Sequence, residues 1–110
     1  MDVSEMDLSE YDDAVLSLIE QVPRGRVTTY GAVADALQDV FGRGPRAAAR
    51  VMSVHGSSVT WWRCVRSNGT LPEWLLDEAR QAWLEEGTPL RPSGAVDITR
   101  ALWVPPVFPG

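Results

Sequence analysis

The stretch Gly44-Pro45-Arg46-Ala47-Ala48-Ala49-Arg50-Val51-Met52-Ser53-Val54-His55 decides how this chain is read. Proline at the first position of a helix is free of cost, because the N–H it lacks would have no intrahelical partner there. Behind it, Ala47, Ala48, Val51 and Met52 recur on one helical face, while Arg46 and Arg50, four apart, project together from another. The spacing predicts a helix over 45–55. Just upstream, Thr29 is placed to cap a helix whose buried side is Ala32, Val33, Ala36 and Leu37 and which ends near Val40-Phe41-Gly42. Two short helices joined by a glycine-containing loop, the second with small residues inward and arginines outward, have the form of a helix-turn-helix.

Outward from this pair the other elements follow. Ser9 with Asp12 reads as a helix start, and Tyr11, Val15, Leu16 and Ile19 keep helical spacing as far as Pro23, so a helix is expected over roughly 9–21. Val22–Val27 reads as a loop or short extended piece. Val59-Thr60-Trp61-Trp62-Arg63-Cys64-Val65 is β-prone and ends on the turn signal Ser67-Asn68-Gly69, predicting a strand or extended loop. Trp74, Leu75, Ala79, Ala82 and Trp83 predict a helix of roughly 73–86 closed by Gly87. The segment from Arg91 to Gly110 has four prolines and no clear period, and is expected as a packed or partly disordered arm. The fold class is therefore mainly α with a minor extended part, winged-helix-like, divided as a domain over 1–88 and a C-terminal arm of the same domain over 89–110.

Composition sets the outer limits. A chain of 110 residues with 45% hydrophobic residues has room for one domain with a modest core. The start Met1-Asp2-Val3-Ser4-Glu5 is acidic and unlike a signal peptide, and no apolar run approaches the ~20 residues that cross a bilayer, so a cytoplasmic protein without membrane partners, acting as a monomer, is expected. One cysteine and one histidine fall short of a zinc site, which needs about four ligands, and no cofactor is expected. The net charge of -5 argues at first against nucleic acid, but the charges are segregated. Residues 1–23 carry seven acids and no base. Residues 24–66 carry seven arginines against Asp35 and Asp39, and residues 67–110 carry six acids and three arginines. A basic middle can present a positive face to phosphates, although charge alone leaves open a dispersed surface.

Four landmarks, in order, resemble the DNA-binding domain of O6-alkylguanine-DNA alkyltransferases and, within that family, the alkyltransferase-like proteins. Val22-Pro23-Arg24-Gly25-Arg26-Val27-Thr28-Thr29-Tyr30-Gly31 resembles the opening motif of the family, and Pro45–Met52 its recognition helix. Thr60-Trp61-Trp62-Arg63-Cys64-Val65 stands where the transferases have Pro-Cys-His-Arg-Val, followed by a comparable glycine turn at Ser67-Asn68-Gly69. The resemblance covers about residues 10–88. It implies that Arg46 enters the base stack in place of an extruded guanine, that Tyr30 helps drive the nucleotide out, and that the minor groove is the one engaged. It also places Trp61 at the acceptor cysteine and Trp62 at the activating histidine, and an indole is neither thiolate nor base at neutral pH.

The expected function is thus a non-enzymatic protein that flips and holds O6-alkylguanine in double-stranded DNA and flags it for other DNA repair proteins. Its DNA-binding residues are Tyr30, Arg46, Arg50, Arg43 and Arg26, with Arg24 a further phosphate-contact candidate, and its base pocket is Trp61, Trp62 and Arg63. Each has a plainer alternative: the tryptophans as core, Tyr30 as helix packing, the arginines as solvated surface. Cys64, an odd number of residues from Trp61, is expected on the opposite face of a strand and buried, and His55 as a partner of its helix's C-terminal end. Two rivals remain: an alkyltransferase using Cys64, and a sequence-specific regulator placing the 45–55 helix in the major groove.

Overall fold

In a computed structural model of the chain, residues 9–108 are described; the acidic start before Ser9 lies outside them. Helix α1 (Glu10–Gln21) begins on a complete capping box, Asp12 N–H donating to Ser9 Oγ at 3.1 Å and the Asp12 carboxylate accepting from the Ser9 N–H. Such a cap contributes about 1 kcal/mol. After a turn, strand β1 (Thr28–Thr29) runs directly into α2 (Tyr30–Phe41), because Thr29 accepts the Ala32 N–H at 3.0 Å and so caps the helix. Gly42, at φ 62°, ends α2 in the left-handed conformation. Helix α3 (Pro45–His55) follows after two residues. The α2–α3 pair, lying against α1, is the helix-turn-helix that the sequence predicts.

Tyr11, Val15, Ile19, Val33, Leu37, Ala48 and Val51 form the core between these three helices. Ala48 is fully buried, and its small side chain lets α3 approach the other two closely. A second cluster forms around Trp83 of α4 (Glu73–Glu86) with Val27, Val65, Leu71, Ala79 and Val96.

The segment expected as a strand or extended loop over 59–65 is mostly turn. Short 3₁₀ turns occupy Gly56–Ser58 and Trp61–Arg63, and only Cys64–Val65 (β2) is extended. The cause is the partner: β2 pairs in parallel with β1, Thr28 opposite Cys64 and Thr29 opposite Val65, and in that register Trp61 and Trp62 would fall opposite Gly25 and Arg26, which lie in and just after a turn, so no ladder exists for them. As far as Phe108, the arm after Thr88 is packed rather than loose. It carries a short helix, α5 (Ile98–Ala101), the Val27 N–H donates to Ala101 O, the Trp103 N–H donates back to Val27 O, and Phe108 reaches Ala36 O. No helix among the described residues is long and apolar enough to cross a membrane.

Candidate nucleic-acid interface and base pocket

Helix α3 separates two concavities. On one side Arg43, Arg46 and Arg50 line an open groove with Tyr11, Asp12 and His55. All three arginines are exposed. Arg43 sits 4.7 Å from the centroid of the Tyr11 ring, which orients it without neutralising it. The one acid lining the groove among the described residues, Asp12, lies 3.6 Å from His55 Nε2, the helix-end histidine. Three guanidinium groups on one rim suit a run of phosphates.

On the other side Ala49, Met52 and Ser53 of the same helix face a cavity of about 340 Å³. Four further elements complete its wall: Tyr30 from the start of α2, Trp61 from a 3₁₀ turn, Arg66 just past β2, and Trp74 from the first turn of α4. Gly56 admits a close approach there, since a Cβ on it would stand 3.3 Å from the Met52 methyl and 3.8 Å from Trp61 Cβ. Burial pushes the Tyr30 phenol up to about 12, so it stays protonated at neutral pH. The turn carrying Arg66 is closed by Gly69, at φ 79°, where any Cβ would collide with the Val96 carbonyl.

Trp61, Trp62 and Arg63 were expected together, and the structure divides them. Trp61 is in the cavity wall. Trp62 packs edge-to-face on it, centroids 5.7 Å apart, but aims its indole N–H away, donating to Glu86 Oε2 at 3.0 Å. Arg63 also faces Glu86, at 3.0 and 2.7 Å, and donates to Val22 O at 2.9 Å. The Glu86 side chain is only 4% exposed. Burial pushes its carboxyl up, but hydrogen bonds from Arg63, Trp62 and the Gly25 N–H more than reverse this and hold it below the usual carboxylate range. Trp62 and Arg63 therefore brace the loop behind the pocket.

The remaining expected phosphate contacts also separate. Arg26 is engaged by the arm, its guanidinium donating to Ala101 O at 3.0 Å and Leu102 O at 2.6 Å. Arg24 donates to Glu85 O at 3.0 Å. Neither lines the groove where Arg43, Arg46 and Arg50 meet. Cys64 is 1% exposed, and burial raises its thiol far above the ordinary range, so it carries no thiolate at neutral pH. Its place at the start of β2, against the three-helix core, accounts for this; strand alternation from Trp61 does not, since Trp61 is in a turn.

Sequence reasoning overlooked Glu86, Arg66 and the position of Trp74. Glu86 did leave a signal: an acid in the last turn of a helix opposes the macrodipole and implies a cationic partner. Trp74, counted among the residues whose spacing predicts its helix, is 82% exposed. Leu75, Ala79 and Trp83, four apart, form the apolar stripe, and Trp74 lies about 100° off it.

The arrangement defines a helix-turn-helix domain whose second helix separates an arginine groove from a closed-backed, partly aromatic pocket. The domain family described as the 6-O-methylguanine DNA methyltransferase, DNA binding domain, matches residues 10–88. A "DNA base-flipping protein" of Escherichia coli (strain K12) is 35% identical over 102 residues, covering 84% of this chain and 74% of that protein, and one of Shigella flexneri matches to the same extent. Among solved structures, the crystal structure of S. pombe Atl1 in complex with damaged DNA containing O6-carboxymethylguanine superimposes with a TM-score of 0.73 at 20% identity, over 89% of this chain and 98% of that one. The chain belongs to the 6-O-methylguanine DNA methyltransferase DNA-binding-domain family, as an alkyltransferase-like protein.

Proposed function

We propose that this protein binds duplex DNA through the arginine groove, extrudes an O6-alkylguanine into the cavity beside Trp61, and retains it without repairing it. The observation that carries the reading is Trp61 in the wall of the cavity, at the position of the transferases' acceptor cysteine, with Cys64 sealed in the core. Transfer requires a thiolate and a base beside it. The cavity wall offers an indole, and the residue next to Trp61 is a hydrogen-bond donor committed to Glu86. The relatives named for base flipping, and the Atl1 complex with alkylated DNA, support the same assignment.

Arg46, at the start of α3, is the group that fills the vacated stack, and Tyr30, on the pocket side, supplies the bulk that keeps the nucleotide out. Arg43 and Arg50 hold the backbone. Extrusion costs a few kcal/mol, least for a base whose pairing is already weakened, so the lesion is selected partly by its own poor pairing. A retained, unrepaired lesion is a standing signal, and the complex would act as a flag for other repair proteins. The test is binding, at one stated salt concentration, to duplexes that differ only by a single O6-methylguanine. Stronger binding to the lesion duplex is expected, and equal affinity for both overturns the assignment.

A further inference from the structure

Arg66 is the one charged side chain lining the cavity among the described residues, and it is exposed. The guanidinium groups of Arg24, Arg26 and Arg63 are engaged by carbonyls or by Glu86, whereas that of Arg66 has no hydrogen bond or ion pair among the described residues. Its backbone, by contrast, is held. The Arg66 N–H donates to Thr70 O at 3.0 Å, the Gly69 N–H donates back to Arg66 O at 2.8 Å, and the Val96 N–H ties the same turn down at Gly69 O, 2.9 Å away. A guanidinium with unused donors on a fixed stem is placed to receive an anion.

Extrusion supplies the anion. A base turned out of a duplex stays joined to its sugar, and the sugar to a phosphate on either side, so a purine in the cavity brings two phosphates to the mouth. Arg43, Arg46 and Arg50 lie on the far side of α3, in the groove. The cavity wall is otherwise neutral, and α4, whose first turn borders it, begins with the carboxylate of Glu73, so without Arg66 those phosphates would meet no compensating charge there. Burial raises the Tyr30 phenol and the Arg66 charge pulls against it, which sets Arg66 close to the residue assigned to keep the nucleotide out.

We propose that Arg66 clamps a phosphate of the extruded nucleotide, a contact made in the flipped complex and absent from the complex with intact duplex. The inference rests on the extrusion reading given above. It divides the cations into two sets: Arg43 and Arg50 hold backbone in both complexes, and Arg66 adds one phosphate when a nucleotide has left the stack. Arg66 thus contributes about 0.9 to the steepness of log K against log salt on a lesion duplex and nothing on an undamaged one.

The experiment titrates wild type, Arg66→Ala and Arg66→Lys against undamaged and O6-methylguanine duplexes over a range of salt, and repeats the lesion duplex with an uncharged methylphosphonate in place of the phosphate on either side of the lesion. O6-methylguanine is neutral, so no charge on the substituent enters the comparison. Because the Arg66 side chain is exposed, circular dichroism melts of the three proteins should coincide. Arg66→Ala should bind the lesion duplex roughly tenfold more weakly at low salt, the scale of one charge-assisted hydrogen bond, with a slope shallower by about 0.9 and no change on undamaged DNA. Arg66→Lys, which keeps the charge, should retain most of both. One of the two methylphosphonates should weaken wild type to the same extent and make wild type and Arg66→Ala alike. The clamp is overturned, while extrusion stands, if Arg66→Ala binds the lesion as wild type does, loses equally on both duplexes, loses lesion affinity with its slope unchanged, or stays weaker than wild type on both methylphosphonate duplexes. If wild type binds the lesion duplex no better than the undamaged one and a 2-aminopurine beside the lesion does not brighten, it is the extrusion reading that fails, and the clamp with it.

Discussion

The indole N–H of Trp62 meets the carboxylate of Glu86 at 3.0 Å, and the same carboxylate holds Arg63 at 2.7 Å. Two residues of the motif are thereby tied to the end of α4, while Trp61 between Thr60 and Trp62 is left to face the cavity. A histidine in the place of Trp62 could exchange a proton, whereas an indole only donates. The loop keeps its brace and has no base.

Glu86→Gln should therefore act on stability. It leaves Arg63, 15% exposed, without a charged partner, and removing one member of a buried pair costs about 3 kcal/mol or more, a fall in Tm of about 13 °C or more. The pH dependence has a definite sign. A carboxyl lowered by folding contributes stability above its unfolded value of about 4.3 and loses it as pH falls through the lower folded value, so wild type should lose its advantage over Glu86→Gln below about pH 4.3. Trp62→Phe, which removes a single donor, should cost about 1 kcal/mol and leave lesion affinity unchanged. Melts across acid pH, with lesion binding measured alongside, check all three statements.

Salt dependence should sort the arginines. Arg43, Arg46 and Arg50 rim an open groove, and each phosphate neutralised contributes about −0.9 to the slope of log K against log salt. Arg50→Ala should reduce the slope by about that amount and weaken damaged and undamaged duplexes alike. Arg26→Ala should leave the slope unchanged and lower Tm, because its guanidinium is bound to Ala101 O and Leu102 O. An altered slope with Arg26→Ala would mean that the guanidinium leaves the arm on binding.

Much of this was readable from the chain because it is local. The four long helices end where caps and glycines say they should: Ser9, Thr29, Gly42 and Gly87 act through neighbours within a few residues. The segment 59–65 was not readable, because its propensity is extended while its conformation depends on a partner strand only two residues long. Arg26 and Arg63 illustrate the same limit at the site. Their residue type is that of a phosphate or base contact, but their partners lie 75 and 23 residues away in the chain. Arg46, Arg50 and Trp61 came out at the groove and the cavity, since helix phase and motif order place them before any tertiary contact is known.

The pocket should remain without transfer activity even when given a thiol. Trp61→Cys places sulfur in the cavity, but the adjacent Trp62 cannot take its proton and Tyr30, at about 12, is protonated. Incubation with a duplex bearing O6-methylguanine, followed by intact-protein mass spectrometry, should show no methyl adduct in wild type or Trp61→Cys. Cys64→Ser should bind the lesion as wild type does. A stoichiometric mass gain on Cys64 would mean that β2 opens on DNA and would restore the enzyme reading.

The division of labour between Arg46 and Tyr30 tests the mechanism most directly, because the two residues stand on opposite sides of α3. If Arg46 fills the vacated stack, Arg46→Ala leaves a gap and an orphaned cytosine, and should weaken lesion binding by about 1–3 kcal/mol, the scale of a lost stacking or bidentate contact. Its exposure means that the fold should not suffer. Tyr30 is half-buried in the cavity wall, and if the bulk of its ring keeps the nucleotide out, Tyr30→Phe should cost much less than Tyr30→Ala. A 2-aminopurine beside the lesion should brighten on binding wild type, as unstacking relieves its quenching, and much less on binding Arg46→Ala. Lesion binding and brightening by Arg46→Ala equal to wild type, in a protein that melts normally, would remove α3 as the extruding element and return it to the regulator reading, in which it lies in a major groove and reads an undamaged sequence.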